Sequence, residues 1–161
     1  MNRLHVRLAI AAATVSLLSS YPINAQSSRY SAEAKELPSA ARAPRVNINE
    51  GPELESANDN SAIIRWTSNN PGGSDEHFGV VHYGTSPTEL SRTAKSHIRL
   101  NRTHSHTVFR VRVNGLKART TYYYTVDSMA ADGRRDGVKS NVAQFTTAGP
   151  GQRVAAASAS Q

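Results

Sequence analysis

The sequence predicts an all-β fold, a seven-stranded antiparallel β-sandwich, and three observations support that prediction. Tyr122, Tyr124 and Val126 share one parity, and a period of two in aromatic and β-branched residues is typical of a strand with one buried face. A longer alternation over Thr103–Val113 turns Phe109 inward. Asn-Gly and Asp-Gly pairs favour tight connections between antiparallel strands, and they occur at Asn114-Gly115, Asp132-Gly133 and Asp136-Gly137.

The N-terminus has the layout of a secretory signal peptide, which we place at residues 1–25. Arg3 and Arg7 precede an apolar run, Leu8–Leu18, that is too short to span a bilayer as a helix. An uncleaved anchor helix is the alternative interpretation. No other segment could cross a membrane, so we expect no stable span after cleavage. Residues 26–44 are rich in Ser, Ala, Glu, Arg and Pro and are predicted to be a disordered linker.

The sandwich is predicted to occupy residues 45–148. Its first strand is predicted to lie at a sheet edge and to be broken by a bulge or bend at Gly51-Pro52. Proline fits an edge strand because it lacks the N–H that a strand inside the sheet would use for pairing. Ser61–Thr67 is the second strand, and Trp66 is its largest inward side chain. The remaining strands are predicted at His77–Tyr83, Glu89–Thr93, Thr103–Val113, Tyr122–Met129 and Lys139–Thr147. Lys95–Asn101 is basic and predicted to be irregular, and residues 149–161 are predicted to form a disordered tail.

A turn at Gly115 leads into the Tyr122 strand and predicts a tyrosine corner. Leu116 is an isolated apolar residue in an otherwise polar turn. Tyr122 can bury its ring while its hydroxyl bonds a nearby backbone group. The predicted structural core consists of Trp66, Tyr83, Leu116, Tyr122, Tyr124 and Phe145.

The same corner carries a resemblance to a known family. Its residues have the spacing of the fibronectin type III signature Leu-x-Pro-x-Thr-x-Tyr-x-x-x-Val, with alanine in the proline place, at Leu116, Ala118, Thr120, Tyr122 and Val126. Further markers stand in the family's order at Trp66, Tyr83-Gly84-Thr85-Ser86-Pro87 and Phe145-Thr146-Thr147. This version is similar to the N-terminal sandwich domain of purple acid phosphatases. The resemblance implies an immunoglobulin-like sandwich of fibronectin type III type.

Composition limits the chemistry that the chain can perform. The 161 residues include no cysteine, which excludes disulfides, thiolate catalysis and zinc–thiolate sites. The formal net charge is +7, and residues 45–148 carry 13 Lys/Arg against 10 Asp/Glu, a mildly basic surface of mixed signs. Solubility alone is one explanation of that balance, and attraction to anionic polymers is the other.

No common catalytic signature is present, whether Gly-x-Ser-x-Gly, a phosphate-cradling glycine loop or His-Glu-x-x-His. Purple acid phosphatases need a two-metal centre, and the family motifs Gly-Asp-x-x-Tyr and Gly-Asn-His-Glu do not occur here. The resemblance therefore implies only the non-catalytic module. We expect no enzymatic activity, no cofactor, and no catalytic, cofactor-binding or metal-binding residue.

His104-Ser105-His106 is the best metal candidate, because residues two apart on a strand share a face. Two ligands alone bind weakly, however, and solvated surface histidines are the favoured interpretation. Asn101-Arg102-Thr103 fits the short N-glycosylation pattern, which also arises by chance.

A basic sheet face is the strongest binding candidate. Outward-facing His106, Arg110 and Arg112 lie on one strand, and in a type III sandwich that strand neighbours the one carrying Arg65. Such a face could dock an anionic polymer. The alternative is that these arginines cover the sheet with their stems and deter edge pairing.

The sequence thus predicts an exported, periplasmic or extracellular, non-catalytic binding or spacer module. Its expected partner is a protein or an anionic polysaccharide or other surface polymer, with no specific nucleic acid. The alternative is an accessory domain of the purple acid phosphatase N-terminal type that lacks the catalytic domain.

Overall fold

The computed structural model describes Ala43 and residues 45–155, which form eight strands and no helix. The strands are β1 (Ile48–Ala57), β2 (Ser61–Asn69), β3 (Glu76–Gly84), β4 (Arg92–Arg99), β5 (His106–Asn114), β6 (Thr121–Ala130), β7 (Ala143–Thr146) and β8 (Val154–Ala155). The first sheet has the order β5-β2-β1-β8 and the second has the order β4-β3-β6-β7, with every pair antiparallel. The predicted sandwich of fibronectin type III type is confirmed, with one strand more than expected.

Several expectations fall outside the part of the chain that the structure describes. These are the signal peptide at 1–25, all of the linker at 26–44 except Ala43, and the end of the tail from residue 156 onward. Within the described residues, no helix has the length and apolarity that a membrane crossing requires.

The break predicted in the first strand takes the form of a bulge. The pairing of β1 with β2 shifts register between Glu50 and Glu53, around Gly51-Pro52. Gly51 has a φ of 77°, and a Cβ there would lie 3.0 Å from the Arg65 carbonyl oxygen, so glycine suits the position. Two further shifts lie between Ile48 and Glu50 and between Leu54 and Ser56, and the end of β1 pairs with β8 at Ser56 and Ala57.

The fourth strand differs from its prediction. It begins at Arg92 instead of Glu89, and it continues through Arg99, where an irregular basic segment was expected. Its half-buried positions are occupied by Ala94, Ser96 and Ile98, which alternate with exposed residues. Alanine and serine give a weak apolar signal, and the strand is defined by its full pairing with β3.

The centre of the core is a close approach between the two sheets. Trp66 on β2 stacks on Phe109 on β5, with ring centroids 5.1 Å apart. Gly79 on β3 lies opposite, and a Cβ built on it would be 3.0 Å from side-chain atoms of Trp66, Phe109 and Val111. Because Gly79 has no side chain, the Trp66 ring can pack directly against the backbone of β3.

The aromatic residues of the second sheet pack on one another beside this contact. The Tyr122 ring lies 5.8 Å from that of Phe145 and 6.2 Å from that of Tyr83, and Tyr124 lies 5.7 Å from Phe145, measured between centroids. All four rings belong to the same buried cluster as Trp66 and Leu116. Offset and edge-on pairs of this kind add to the stabilisation that burial provides.

The structure contains the tyrosine corner. The Lys117 N–H donates to the Tyr122 hydroxyl oxygen over 3.0 Å, and Leu116 is buried beneath the turn. Thr147 closes the corner from the other end of the domain, because its hydroxyl donates to the Lys117 carbonyl over 2.6 Å and accepts from the Thr120 N–H over 2.9 Å. The turn is thus tied to both its own strand and the segment that follows β7.

The chain after the predicted domain end at Ala148 returns to the first sheet. A turn closed by the Gln152 N–H donating to the Gly149 carbonyl brings Val154–Ala155 alongside β1 as β8. The sequence did not predict this strand, because two residues are too few to show a period of two.

Gly79→Ala is expected to destabilise the fold by about 1–3 kcal/mol, because the added methyl group would press on three core side chains that have little room to move. The free energy of unfolding from urea titration measures this. Gly72→Ala is the matched control, since its Cβ would have only one ordinary contact, 3.6 Å from the Ala43 carbonyl oxygen. Equal stability of the two variants would contradict the close approach.

Tyr124 is expected to make the fold sensitive to alkali. Burial, reinforced by the Glu53 carboxylate, raises the pKa of Tyr124 to about 12 from an ordinary value of 10.0. Between these values the unfolded chain loses its proton and the folded chain does not, so stability is full below pH 10 and falls as the pH rises toward 12. Unfolding titrations at pH 9 to 12 should show this fall in the wild type and a smaller one in Tyr124→Phe; parallel curves would contradict it.

Candidate anion-binding surface

The four residues of the predicted basic face lie on β2 and β5 of the first sheet. Arg65 stands directly opposite Arg110 in the β2–β5 register, and Arg112 lies two residues further along β5. His106 is at the other end of β5, opposite Asn69. All three β5 residues are exposed, in alternation with the buried Thr107, Phe109, Val111 and Val113.

Glutamates from β1 neutralise half of that face. Glu53 accepts from Arg65 over 2.8 Å, and both carboxylate oxygens of Glu55 accept from Arg110, one of them over 2.7 Å from Nε. The Glu55 hydrogen bonds and charge raise the pKa of Arg110 further above its usual range. Of the four predicted residues, Arg65 and Arg110 are therefore in ion pairs with β1.

Arg112 differs from these arginines, because it has no ion pair within the described residues. It lines a shallow cleft of about 280 Å³ on the outer face of the first sheet, together with Ile63, Ser56 and Arg153. Arg153 comes from the segment predicted to be a disordered tail, and the pairing of β8 with β1 brings it here. No residue pattern in the sequence around Arg153 predicts this position.

A second cationic feature is visible in the sequence once the strands are known. From Leu90 to Val126 there is no Asp or Glu, and the Lys/Arg residues in that range are Arg92, Lys95, Arg99, Arg102, Arg110, Arg112, Lys117 and Arg119. The segment contains β4 and β5, which are terminal strands of the two sheets and neighbour each other across one open side of the sandwich. We call this side, with the cations from Arg92 to Arg112, the basic side.

Acidic groups from outside the segment reach only part of the basic side. Besides the Arg110–Glu55 pair, Arg102 contacts Asp75 over 2.6 Å, and Arg99 lies 3.7 Å from Glu76. Lys95 has no ion pair within the part of the chain that the structure describes. A count of charges along the sequence would have found this feature; a search for outward-facing arginines on one sheet did not.

The histidine pair predicted as the best metal candidate does not share a strand face. His104 lies in a turn, where its N–H donates to the Asn101 carbonyl, and β5 begins only at His106. The described residues contain no group of three or more His, Cys, Asp or Glu side chains placed to hold a metal ion.

The connection between β6 and β7 is anchored on both faces of the second sheet. Arg135 donates to Asp127 over 2.6 Å, on the face where His82 also contacts that carboxylate. The neighbouring Asp136 accepts from Ser128 over 2.7 Å, and its Oδ2 lies 3.5 Å from Nε2 of the fully buried His77. The adjacent residues Arg135 and Asp136 thus bind to opposite faces of β6. These contacts hold the loop between β6 and β7 against the sheet, so it does not project freely into solvent.

Comparison with known protein families gives a match over more than half of the chain. The model of the purple acid phosphatase N-terminal domain matches residues 50–147. No curated protein matches the chain.

Solved structures show weaker likenesses. The sensor domain of the anti-sigma factor RsgI4 of Pseudobacteroides cellulosolvens is 19% identical, with 65% of this chain and 75% of that one covered and a TM-score of 0.42. The FN5 domain of Drosophila Lar is 17% identical, with 60% and 92% covered and a TM-score of 0.34. The fn3 domain of the human collagen alpha-1(XX) chain is 17% identical, with 70% and 95% covered and a TM-score of 0.33. These likenesses do not bear on what this chain binds.

Chemical modification is expected to distinguish arginines that are in ion pairs from arginines that are not. Phenylglyoxal attacks the neutral guanidine, so Arg110, held by Glu55 and with its pKa raised, should react several-fold more slowly than Arg112 and Arg153. Peptide mass spectrometry measures each rate. Glu55→Gln should bring Arg110 to the rate of Arg112, while Glu89→Gln should leave it unchanged. Equal rates for Arg110 and Arg112 in the wild type would exclude the pairing.

Proposed function

This chain belongs to the family of purple acid phosphatase N-terminal domains, as its corner residues predicted, and on that premise we propose that it is a non-catalytic module that binds an anionic polymer along the basic side. The observation that carries this proposal is the acid-free stretch from Leu90 to Val126, which builds both strands of that side. A surface with an excess of positive charge attracts a polymer of negative charge and releases the polymer's counterions on binding.

Exposure supports the same proposal. Arg99 and Arg102 expose 76% and 68% of their side chains, and Arg110 exposes 59%. Arginine and lysine stems are long enough to follow an irregular chain of anionic groups, and ion pairs this exposed contribute little to stability. The Arg99–Glu76 and Arg110–Glu55 pairs can therefore be exchanged for contacts with a polymer at small cost, whereas the Asp75 partner of Arg102 is only 13% exposed.

Export and lack of catalysis complete the proposal. Residues 1–25 have the pattern of a signal peptide, which would place the mature chain in the periplasm or outside the cell, where anionic surface polymers occur. The sequence holds neither metal-binding motif that the resemblance calls for.

An accessory role beside a metallophosphatase is the second candidate. It is favoured by the family match over residues 50–147. In that role the module would contact a catalytic domain instead of a polymer, and its basic side would stay exposed to solvent.

The test is salt-dependent retention on heparin and on phosphocellulose. Lys95→Ser/Arg112→Ser removes two cations from the basic side and should elute at lower salt. The slope of log affinity against log salt should fall by roughly two, because each neutralised contact releases about one counterion. Phosphocellulose carries phosphate esters and heparin carries sulfates, so the pair of resins also reports which anion is preferred.

The matched control is Arg45→Ser/Lys139→Ser, which removes the same charge from exposed positions outside the basic side. It should keep the wild-type slope. If both double variants lose the same retention, net charge alone explains binding and the basic side is not the site.

A further inference from the structure

A row of paired residues crosses the first sheet beside the cleft. Arg112 on β5 stands opposite Ile63 on β2, Ile63 stands opposite Ser56 on β1, and Ser56 stands opposite Ala155 on β8. Arg153 precedes Ala155 by two residues and lines the same cleft as Arg112. The two guanidinium groups therefore flank the cleft from opposite edges of the sheet, with Ile63 and Ser56 between them.

The charges that line the cleft do not cancel. Among the described residues that line it, Arg110, Arg112 and Arg153 carry positive charge, and Glu55 carries negative charge. Both oxygens of Glu55 are already engaged by Arg110, so the excess charge is that of Arg112 and Arg153. Asp59 lies in the same corner, where its Oδ2 accepts from the Gly151 N–H over 3.4 Å, and it does not line the cleft.

We infer that Arg112 and Arg153 form a binding site for one tetrahedral oxyanion, a phosphate or sulfate group, and that β8 completes this site. The inference deepens the proposed function and rests on it for the source of the group, which is an ester on the bound polymer. The binding of the free ion does not depend on that source.

Side-chain chemistry favours an oxyanion over other ligands. A guanidinium group presents paired N–H donors in a planar fork that matches two oxygens of a phosphate or sulfate. Two forks on opposite sides suit a tetrahedral group, because it has oxygens to offer in both directions, while a single carboxylate has only two oxygens. The half-buried Ile63 side chain on the cleft floor excludes some water and so reduces the screening of these contacts.

Occupation of the site should be coupled to the docking of β8. Within residues 45–155, this strand comprises Val154 and Ala155, which pair with Ala57 and Ser56, and Val154 remains 42% exposed. An anion that bridges Arg153 to Arg112 ties β8 to β5 across the whole sheet. Because the ligand then binds the docked state better than the undocked one, it shifts the equilibrium toward docking.

The experiment is a titration of the mature chain with inorganic phosphate and with sulfate, followed by NMR at constant ionic strength set with chloride. The side-chain Nε–H signals of Arg112 and Arg153 should shift together and saturate. Amide exchange at Ala57 and Val154, which stand opposite each other in the β1–β8 pairing, should slow as the anion is added. Acetate, the carboxylate arm, should bind at least tenfold more weakly.

Two variants and a control separate the site from the fold. Arg153→Ser and Arg112→Ser should each weaken phosphate binding at least tenfold, and Arg45→Ser should leave it unchanged. Arg112→Ser lies outside β8, so β8 should still form, but phosphate should no longer slow exchange at Val154. Thermal unfolding checks that each variant is folded.

The outcomes are distinct. Shifts that never saturate, acetate that binds as tightly as phosphate, or phosphate affinity unchanged in Arg112→Ser would each overturn the site. Displacement of phosphate by a sulfated oligosaccharide supports the polymer as the source, and failure of displacement overturns that part alone. Loss of heparin retention in Lys95→Ser/Arg112→Ser without saturable phosphate binding would leave the proposed function standing and remove the oxyanion site.

Discussion

The structure depends on the close approach of the two sheets at Gly79. Trp66 and Phe109 stack within the first sheet and reach across to the backbone of β3, where no side chain intervenes. Protein interiors are packed to nearly crystalline density, so one missing methyl group here sets how far apart the layers can lie. The aromatic residues of the second sheet then fill the space on either side, and the chain has no disulfide with which to replace this packing.

The tyrosine corner and Thr147 connect the packed core by hydrogen bonds to the turn before β6 and to the segment after β7. The Tyr122 ring belongs to the core while its hydroxyl holds the turn before β6, and Thr147 bonds the same turn from the segment after β7. The chain that follows is therefore directed back toward β1, and β8 can pair there. Through these contacts the core determines the position of Arg153, a residue on the outer surface.

The distribution of charge on the surface follows from which strands are neighbours in the sheets, and not from the order of residues along the chain. Acidic residues of β1 lie beside β2 and pair with Arg65 and Arg110, while the acid-free segment supplies the terminal strands β4 and β5 on the far side. A mildly basic net charge thus becomes a sheet face on which Arg65 and Arg110 are neutralised, beside a side of the sandwich where cations are in excess.

The sequence by itself determined the fold class, the tyrosine corner and the family, because alternation and turn chemistry are local properties that each strand carries along its own length. It also placed Arg65, Arg110 and Arg112 on neighbouring strands. Only the tertiary structure decided which of these charges are neutralised, where β4 begins and ends, and that Arg153 joins Arg112. The physical reason is register: ion pairs and a two-residue strand depend on which residues stand opposite one another across a sheet, and no pattern within a single strand contains that information.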